Sequence, residues 1–488
     1  MLKKNLLLLA VMLACVQLVP AQSKLARSGD SAATGQNQTI AFIHVNVIPM
    51  TGASRVLLNQ TVIVRDGVIA EIGATDKTKV PKDATRVDGR GKFLMPGLVD
   101  MHTHLFSDDE FPDELAGDEL TLMLANGVTT IRLMIGTPEH LILRKRVADG
   151  ELLAPTIYAA SPQLSGRSTG DGFNGRVVTT PEEARRAVLD FKAAGYDFIK
   201  LTNFITLPVY DAVIAAAKEA GIRVIGHVDT QVGVRRALEA GQQIEHLDAY
   251  LESVLKDDSP IKTSVSDIGL FRKENWESLD HIDERKVKEI AQATARAGVY
   301  STPTLTFFKI TFGTGASDEE IRQRPDYRFV PTKLRERWNK VSKRLRDTQA
   351  TEARRREYVR VRNLLVKEIH AAGGKIMTGS DTPEWFLLYG FTLHREIKSL
   401  VEAGLTPYAA LEAATRNPAE FLGAPAGTVE KGKRADLILL HANPLDDVAN
   451  AEKRVGVMTR GRWLLESQLQ KMLDEIAPRF QKALDKEN

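Results

Sequence analysis

The sequence predicts an α/β protein: a (β/α)8 TIM barrel carrying a small β-sandwich built from both chain ends. Three observations predict it. Eight strand-like apolar runs alternate with helical patterns between residues 98 and 381. β-rich segments flank that region at 39–95 and 425–466. Chemically reactive side chains recur at the ends of the apolar runs, and a parallel barrel gathers its chemistry at the carboxyl ends of its strands.

In chain order, Lys3-Lys4 precedes an apolar run from Leu6 to Ala14, and Val19-Pro20-Ala21 follows. This pattern predicts a signal peptide over 1–21, cleaved after Ala21, and hence export to the periplasm or beyond the cell. Cys15, the only cysteine, lies inside it; Leu13-Ala14-Cys15 partly matches a lipid-attachment site, a minor alternative. Cleavage leaves a chain with no disulfide and no thiol nucleophile. Residues 22–38 are small and polar, a flexible leader. In 39–95, Ala41–Ile48, Gln60–Arg65 and Val68–Ile72 are strand runs, and Asp66-Gly67 between the last two is a tight hairpin signal.

The barrel is expected over 96–424. Its strands are Leu98–His104, Thr129–Met134, Thr156–Ala160, Phe198–Asn203, Arg223–Val228, Gln243–Asp248, Tyr300–Phe307 and Lys375–Asp381. Helices Glu182–Ala194, Pro208–Ala220 and Val232–Ala240 each end at a glycine, Gly195, Gly221 or Gly241, the residue that best tolerates the left-handed helix stop. Two connections, 249–283 and 309–372, are too long for ordinary loops and would lie on the reactive face. The second contains a basic helical stretch, Lys333 to Lys367, read as a solvated, salt-bridged face. Gly427–Leu439, Val455–Thr459 and Gly461–Leu464 return to β character, and 467–488 reads as an amphipathic helix docked on the surface.

A formal charge of +3 over 488 residues implies no nucleic-acid partner. The expected partner is a small-molecule substrate, with homo-oligomer formation left open. In Leu98-Val99-Asp100-Met101-His102-Thr103-His104, residues two apart share a side of the strand, so His102 and His104 direct both imidazoles at one point. That is what a first-row metal ion requires. Lys200 interrupts Phe198-Ile199-Lys200-Leu201, where a charged ammonium is costly to bury. His227, His246 and Asp381 each lie near the end of a predicted strand. Any one of these has a bland reading, as a satisfied histidine, a snorkelling lysine or a helix cap; the set does not.

In that order, His-x-His, Lys, His, His, Asp, the chain resembles the amidohydrolase superfamily, and more narrowly its imidazolonepropionase-like and prolidase-like members. Pro96–His104, Ile244-Glu245-His246, Thr378-Gly379-Ser380-Asp381 and Gly427–Leu437 carry the resemblance. It implies two divalent ions, usually zinc, although the donors also suit manganese, cobalt or iron. His102, His104 and Asp381 would hold one ion and His227 with His246 the other. Lys200 would bridge them as a carbamate formed with carbon dioxide. Shared water would become hydroxide near neutral pH, and Asp381 would be the catalytic proton carrier in cleavage of a C–N bond of an amide, peptide or cyclic amide. A lactonase or esterase using the same hydroxide is the alternative. A non-catalytic binding protein would predict loss of a ligand, and all six are present. Prolidase-like relatives commonly carry a Gly-Gly-His-Gly loop after the third strand. Here the comparable stretch, Ser165–Gly172, has no histidine, leaving Arg167 as a candidate substrate-carboxylate contact. Trp385, directly after Asp381, is a candidate apolar wall. His44, His281, His370 and His441 are read as structural, as is His394 against the site, and His140 is expected to make no substrate contact.

Overall fold

The computed structural model describes residues 38–105, 116–168, 174–261, 276–312, 316–330, 334–340 and 350–482. The expected signal peptide with Cys15, all of the leader but residue 38, parts of both long connections and the last six residues of the tail lie outside them.

The fold is α/β with parallel sheets. All eight expected strands are present: Leu98–Thr103, Val128–Leu133, Thr156–Ala159, Phe198–Leu201, Arg223–Gly226, Gln243–Glu245, Tyr300–Thr302 and Lys375–Ile376. The first three form one sheet, and the other five, with two short added strands, form another. Each neighbouring pair within this set is parallel. Hydrogen bonding continues between the sheets at both ends. Ala160 bridges Phe198 in parallel, and Thr103 bridges Thr382. Met101 N donates to Thr378 O at 2.9 Å and Ser380 N to His102 O at 3.1 Å, so the last strand's extension lies beside the first strand.

All eight strands end before the expected residue, and the three largest truncations shape the site. The run Tyr300–Phe307 stops as a strand at Thr302, and the chain becomes a helix at Leu305–Thr311. Pro303 has no N–H for a ladder, Thr304 adopts φ 45°, and the buried carboxylate of Glu396 accepts the N–H groups of Leu305 at 2.8 Å and Thr306 at 2.7 Å. Gln243–Asp248 ends at Glu245 because His246 and Leu247 take φ 59° and 55°. Lys375–Asp381 pairs as a strand only over Lys375–Ile376, and Asp381 itself sits at φ 54°.

The strands from the two chain ends join in one eight-stranded sheet. Its order is Arg462–Leu465, Arg454–Thr459, Leu437–Leu440, Phe93–Pro96, Thr39–Val47, Leu57–Arg65 and Val68–Ala74, with Thr85–Asp88 beside Thr39–Val47. Asp66-Gly67 forms the expected hairpin, with φ 50° and 78° and Arg65 opposite Val68. Alternation along Leu437–Leu440 buries both faces: Leu437 and Leu439 pack with Phe42, Val62 and Leu94, whereas Ile438 and Leu440 join the large core under the helices. The strand Phe93–Pro96 runs through Gly97 directly into the strand that carries His102.

Of the long connections, 309–372 ends in a helix, Glu352–Ala371, which buries Tyr358, Val361, Leu365 and Ile369. Three of its arginines form surface pairs, Arg354 with Asp280, Arg356 with Glu352, and Arg360 with Glu284 and Glu357, whereas Arg362 is buried and donates to His246 O and Pro303 O. The tail forms a helix over Glu466–Lys482, burying Leu469, Leu473, Ile476 and Phe480. Among the described residues, no helix is long and apolar enough to cross a membrane.

Candidate metal centre

The first parallel strand points Asp100 and His102 inward, both 1% exposed. The Asp100 carboxylate ties this strand to the segment bearing Asp381. It accepts Ser380 N at 3.0 Å, Ser380 Oγ at 2.5 Å and His102 N at 3.2 Å. Burial pushes its acid up to about 6, against those bonds. Asp381 N in turn donates to His102 O at 2.7 Å. As a result, Asp381 Oδ1 lies 3.3 Å from His102 Nε2 and 3.4 Å from His104 Nε2. These three residues can offer one ligand atom each within 4.8 Å of one another.

His227 and His246 arrive from the next strand ends. Their rings stack at 4.9 Å, and His246 lies 4.5 Å from the His102 ring. Each ring is held through Nδ1: His102 to Glu245 Oε2 at 2.7 Å, His227 to Asp248 Oδ2 at 2.7 Å, and His246 to Thr304 Oγ1 at 2.8 Å. Partners on Nδ1 leave Nε2 as the ligand atom and fix the ring's orientation. The proton assignments follow from these partners. Burial opposes the charge of Glu245, but Arg132, His102 and Lys200 outweigh it and hold its acid at about 2. Arg132 is fully buried and donates to Glu245 Oε1 at 2.5 Å, Gln243 Oε1 at 2.8 Å and Met101 O at 2.7 Å.

Lys200 completes the group. It is 1% exposed, and its Nζ has no hydrogen-bond partner. Burial pulls the ammonium below its usual range, against the pull of Glu245, Asp381 and Asp248. Gly226 makes room for it: a Cβ there would stand 2.9 Å from Lys200 Cδ and 2.3 Å from Leu201 O.

His102, His104, Lys200, His227, His246 and Asp381 all line one cavity of about 290 Å³. The amidohydrolase family profile matches residues 93–464. The chain belongs to the amidohydrolase family. It is a hydrolase, and several relatives span most of its length. Ochratoxinase of Aspergillus niger is 23% identical over 89% of this chain and 88% of its own. A candidate prolidase of Bifidobacterium longum is 28% identical, covering 90% of this chain and 99% of that one, at TM-score 0.64. Bottromycin amidohydrolase shares the fold at TM-score 0.72 and 23% identity, over 93% of this chain and 95% of its own.

This amidohydrolase places Trp385 on the cavity wall and Arg167 elsewhere. Arg167 is exposed, with its guanidinium 3.6 Å from the Phe204 ring centroid. None of the other six histidines lines the cavity. His140 closes a capping box with Thr137, and His394 Nε2 meets Asn126 O at 2.9 Å. Sequence reasoning missed Asp100, Arg132, Asp248, Thr304 and the orienting role of Glu245. The available signal was a charged residue inside an apolar run, in Thr129–Met134 and Ile244-Glu245-His246.

Proposed function

We propose that this amidohydrolase is an exported, metal-dependent enzyme that cleaves a C–N bond of an amide, peptide or cyclic amide. The observation that carries the reading is the convergence of four imidazoles, one carboxylate and a partnerless buried amine on one cavity. The donor set fits a pair of divalent cations. A neutral or cationic amine in that position leaves a buried polar group unsatisfied, at a cost of about 1–3 kcal/mol or more. Addition of the neutral Lys200 amine to carbon dioxide, with release of one proton, would make it a two-oxygen carbamate anion suited to a pair of cations. His102, His104 and Asp381 would hold one zinc ion, and His227 with His246 the second.

When bound, such ions supply acidified water and polarise the scissile carbonyl. The chain's own groups do the rest. Glu245, Asp248 and Thr304 orient the imidazoles. Asp381 takes a proton on its carboxylate and returns it to the leaving nitrogen. The scaffold for this is a closed (β/α)8 barrel over 96–424, supported by the bridges Ala160–Phe198 and Thr103–Thr382. The two-ended sheet of 39–95 and 425–466 is a β-sandwich domain packed on it.

Metal analysis of the purified enzyme should find about two ions per chain, with activity lost on chelation and regained on adding zinc. Screening N-acyl amino acids, Xaa-Pro dipeptides, cyclic amides and lactones then reads the bond cleaved. A metal-free protein, or one active only on lactones, refutes the proposal. Export is tested separately by mass spectrometry of the mature N-terminus, expected at Gln22.

A further inference from the structure

Phe307 and Trp385 stack on each other in the wall of the candidate metal-site cavity, with ring centroids 5.6 Å apart and planes inclined by 30°. We infer that they form a subsite for an aromatic ring, so that the preferred substrate is an amide bearing such a ring near the scissile bond. The inference deepens the amide-hydrolase reading and rests on it.

Two stretches of chain sort their side chains in the same way. In the helix Leu305–Thr311, Phe308 is 1% exposed and packs on Phe312 and Tyr358, while its neighbour Phe307 is only half-buried and lines the cavity. After Asp381, Phe386 is 1% exposed and packs on Tyr327 and Trp338, while its neighbour Trp385 is half-buried and lines the cavity. A pair serving only the core would be buried like its neighbours. Phe307 also lies 6.3 Å from the His246 ring, so an aromatic shelf runs from a proposed metal ligand out to Trp385.

The segment holding Trp385 is strained and pinned. Asp381, Trp385 and Phe386 have φ of 54°, 22° and 68°, a region bulky residues rarely adopt. Such backbone persists only where surrounding contacts fix it, and it concentrates at working sites. Here Thr382 Oγ1 meets Thr103 Oγ1 at 2.9 Å, Arg324 Nη2 donates to Phe386 O at 2.5 Å, and Leu388 N donates to Thr392 Oγ1 at 2.7 Å. One short run therefore carries both the carboxylate of the metal centre and the indole wall.

The charge of the wall points the same way. Among the described lining residues, Lys200 is the only lysine or arginine, and it sits inside the proposed metal bridge. Outside the proposed metal donors, the wall offers the rings, the amide of Gln163 and the carboxylate of Glu384. No cationic side chain there competes for an anionic substrate group, so stacking on the rings carries recognition. Stacked or edge-on aromatic pairs at 4.5–7 Å gain attraction beyond burial of area, which an aliphatic ring of equal bulk does not.

The test uses the metal-loaded enzyme and two neutral probes, N-benzylacetamide and N-(cyclohexylmethyl)acetamide, with binding followed by calorimetry. Wild type should bind the benzyl probe more tightly. Trp385→Leu and Phe307→Leu should each weaken it by about tenfold, with less effect on the cyclohexyl probe, and Trp385→Phe should keep most of the affinity. Melting temperature and metal content of each variant show that it is folded. Equal affinity for both probes in wild type, no binding, or unchanged benzyl affinity in both Leu variants overturns the subsite. Turnover separates the two claims. Ring-dependent binding without hydrolysis of any amide sinks the hydrolase reading and leaves the subsite standing; hydrolysis of aliphatic amides with no ring effect does the reverse.

Discussion

Lys200 holds a primary amine where water does not reach and no acceptor meets it, beside Gly226, which alone leaves space for its stem. Replacing it with alanine should remove metal and turnover together. Acetate or propionate should restore part of both by standing in for a carbamate; two tightly held ions in Lys200→Ala would contradict the bridge. Asp381→Asn is expected to retain metal, since an amide oxygen still coordinates, yet lose on the order of 10²–10⁴ in kcat for want of a proton acceptor. Near-normal turnover would end that role. The candidate donors were legible because Lys200 interrupts an apolar run, His102 and His104 alternate on one strand, and His227, His246 and Asp381 stand near predicted strand ends. What orients them was not, since the pairing of Arg132 with Glu245 joins residues 113 apart in sequence. A buried arginine in a strand names no partner until the fold brings one.

At the scale of elements, the helix Leu305–Thr311 couples the cavity wall and the candidate metal site. Thr304, just before it, fixes His246; Phe307, one turn in, faces the cavity. Its first N–H groups are accepted by Glu396, about ninety residues later in the chain. That distant carboxylate is why the sequence read Tyr300–Phe307 as one strand: the local pattern is β-like, and the cap comes from another helix. Burial pushes the Glu396 acid up to about 7 from an ordinary 4.5, against the two N–H bonds. The folded state therefore holds a proton, between those values, that the unfolded chain has lost. Glu396 makes stability fall as pH rises through this window, by on the order of 3 kcal/mol. Denaturant unfolding from pH 4.5 to 7.5 should show a steeper decline for wild type than for Glu396→Gln. Parallel slopes would mean the carboxyl ionises normally. The substitution also leaves one N–H facing an amide NH2, so its baseline should be lower.

For the molecule as a whole, the sheet drawn from both chain ends sets where the strand carrying His102 begins. Sequence showed β character at each end, but the order that puts Phe93–Pro96 against Leu437–Leu440 is a long-range pairing that periodicity does not encode. Gly97 is the joint. Its N–H donates to Asp436 O at 2.9 Å, and the next residue's N–H to Gly127 O at 2.9 Å, so the chain passes from one sheet to the other within one residue. A Cβ at 97 would stand 2.3 Å from Thr129 Oγ1 and 2.4 Å from Cγ2, while nothing crowds Gly117. Gly97→Ala must therefore displace either Thr129 or the strand leading to His102, at about 1–3 kcal/mol. The expected result is a melting temperature lower by a few degrees and a metal content below wild type, because the shift propagates along a rigid strand to His102 and His104. Thr129→Ala in the same chain should recover part of both, and Gly117→Ala should be neutral or slightly stabilising. If Gly97→Ala loses stability but binds metal normally, the joint serves packing alone and the two-ended sheet does not govern the centre.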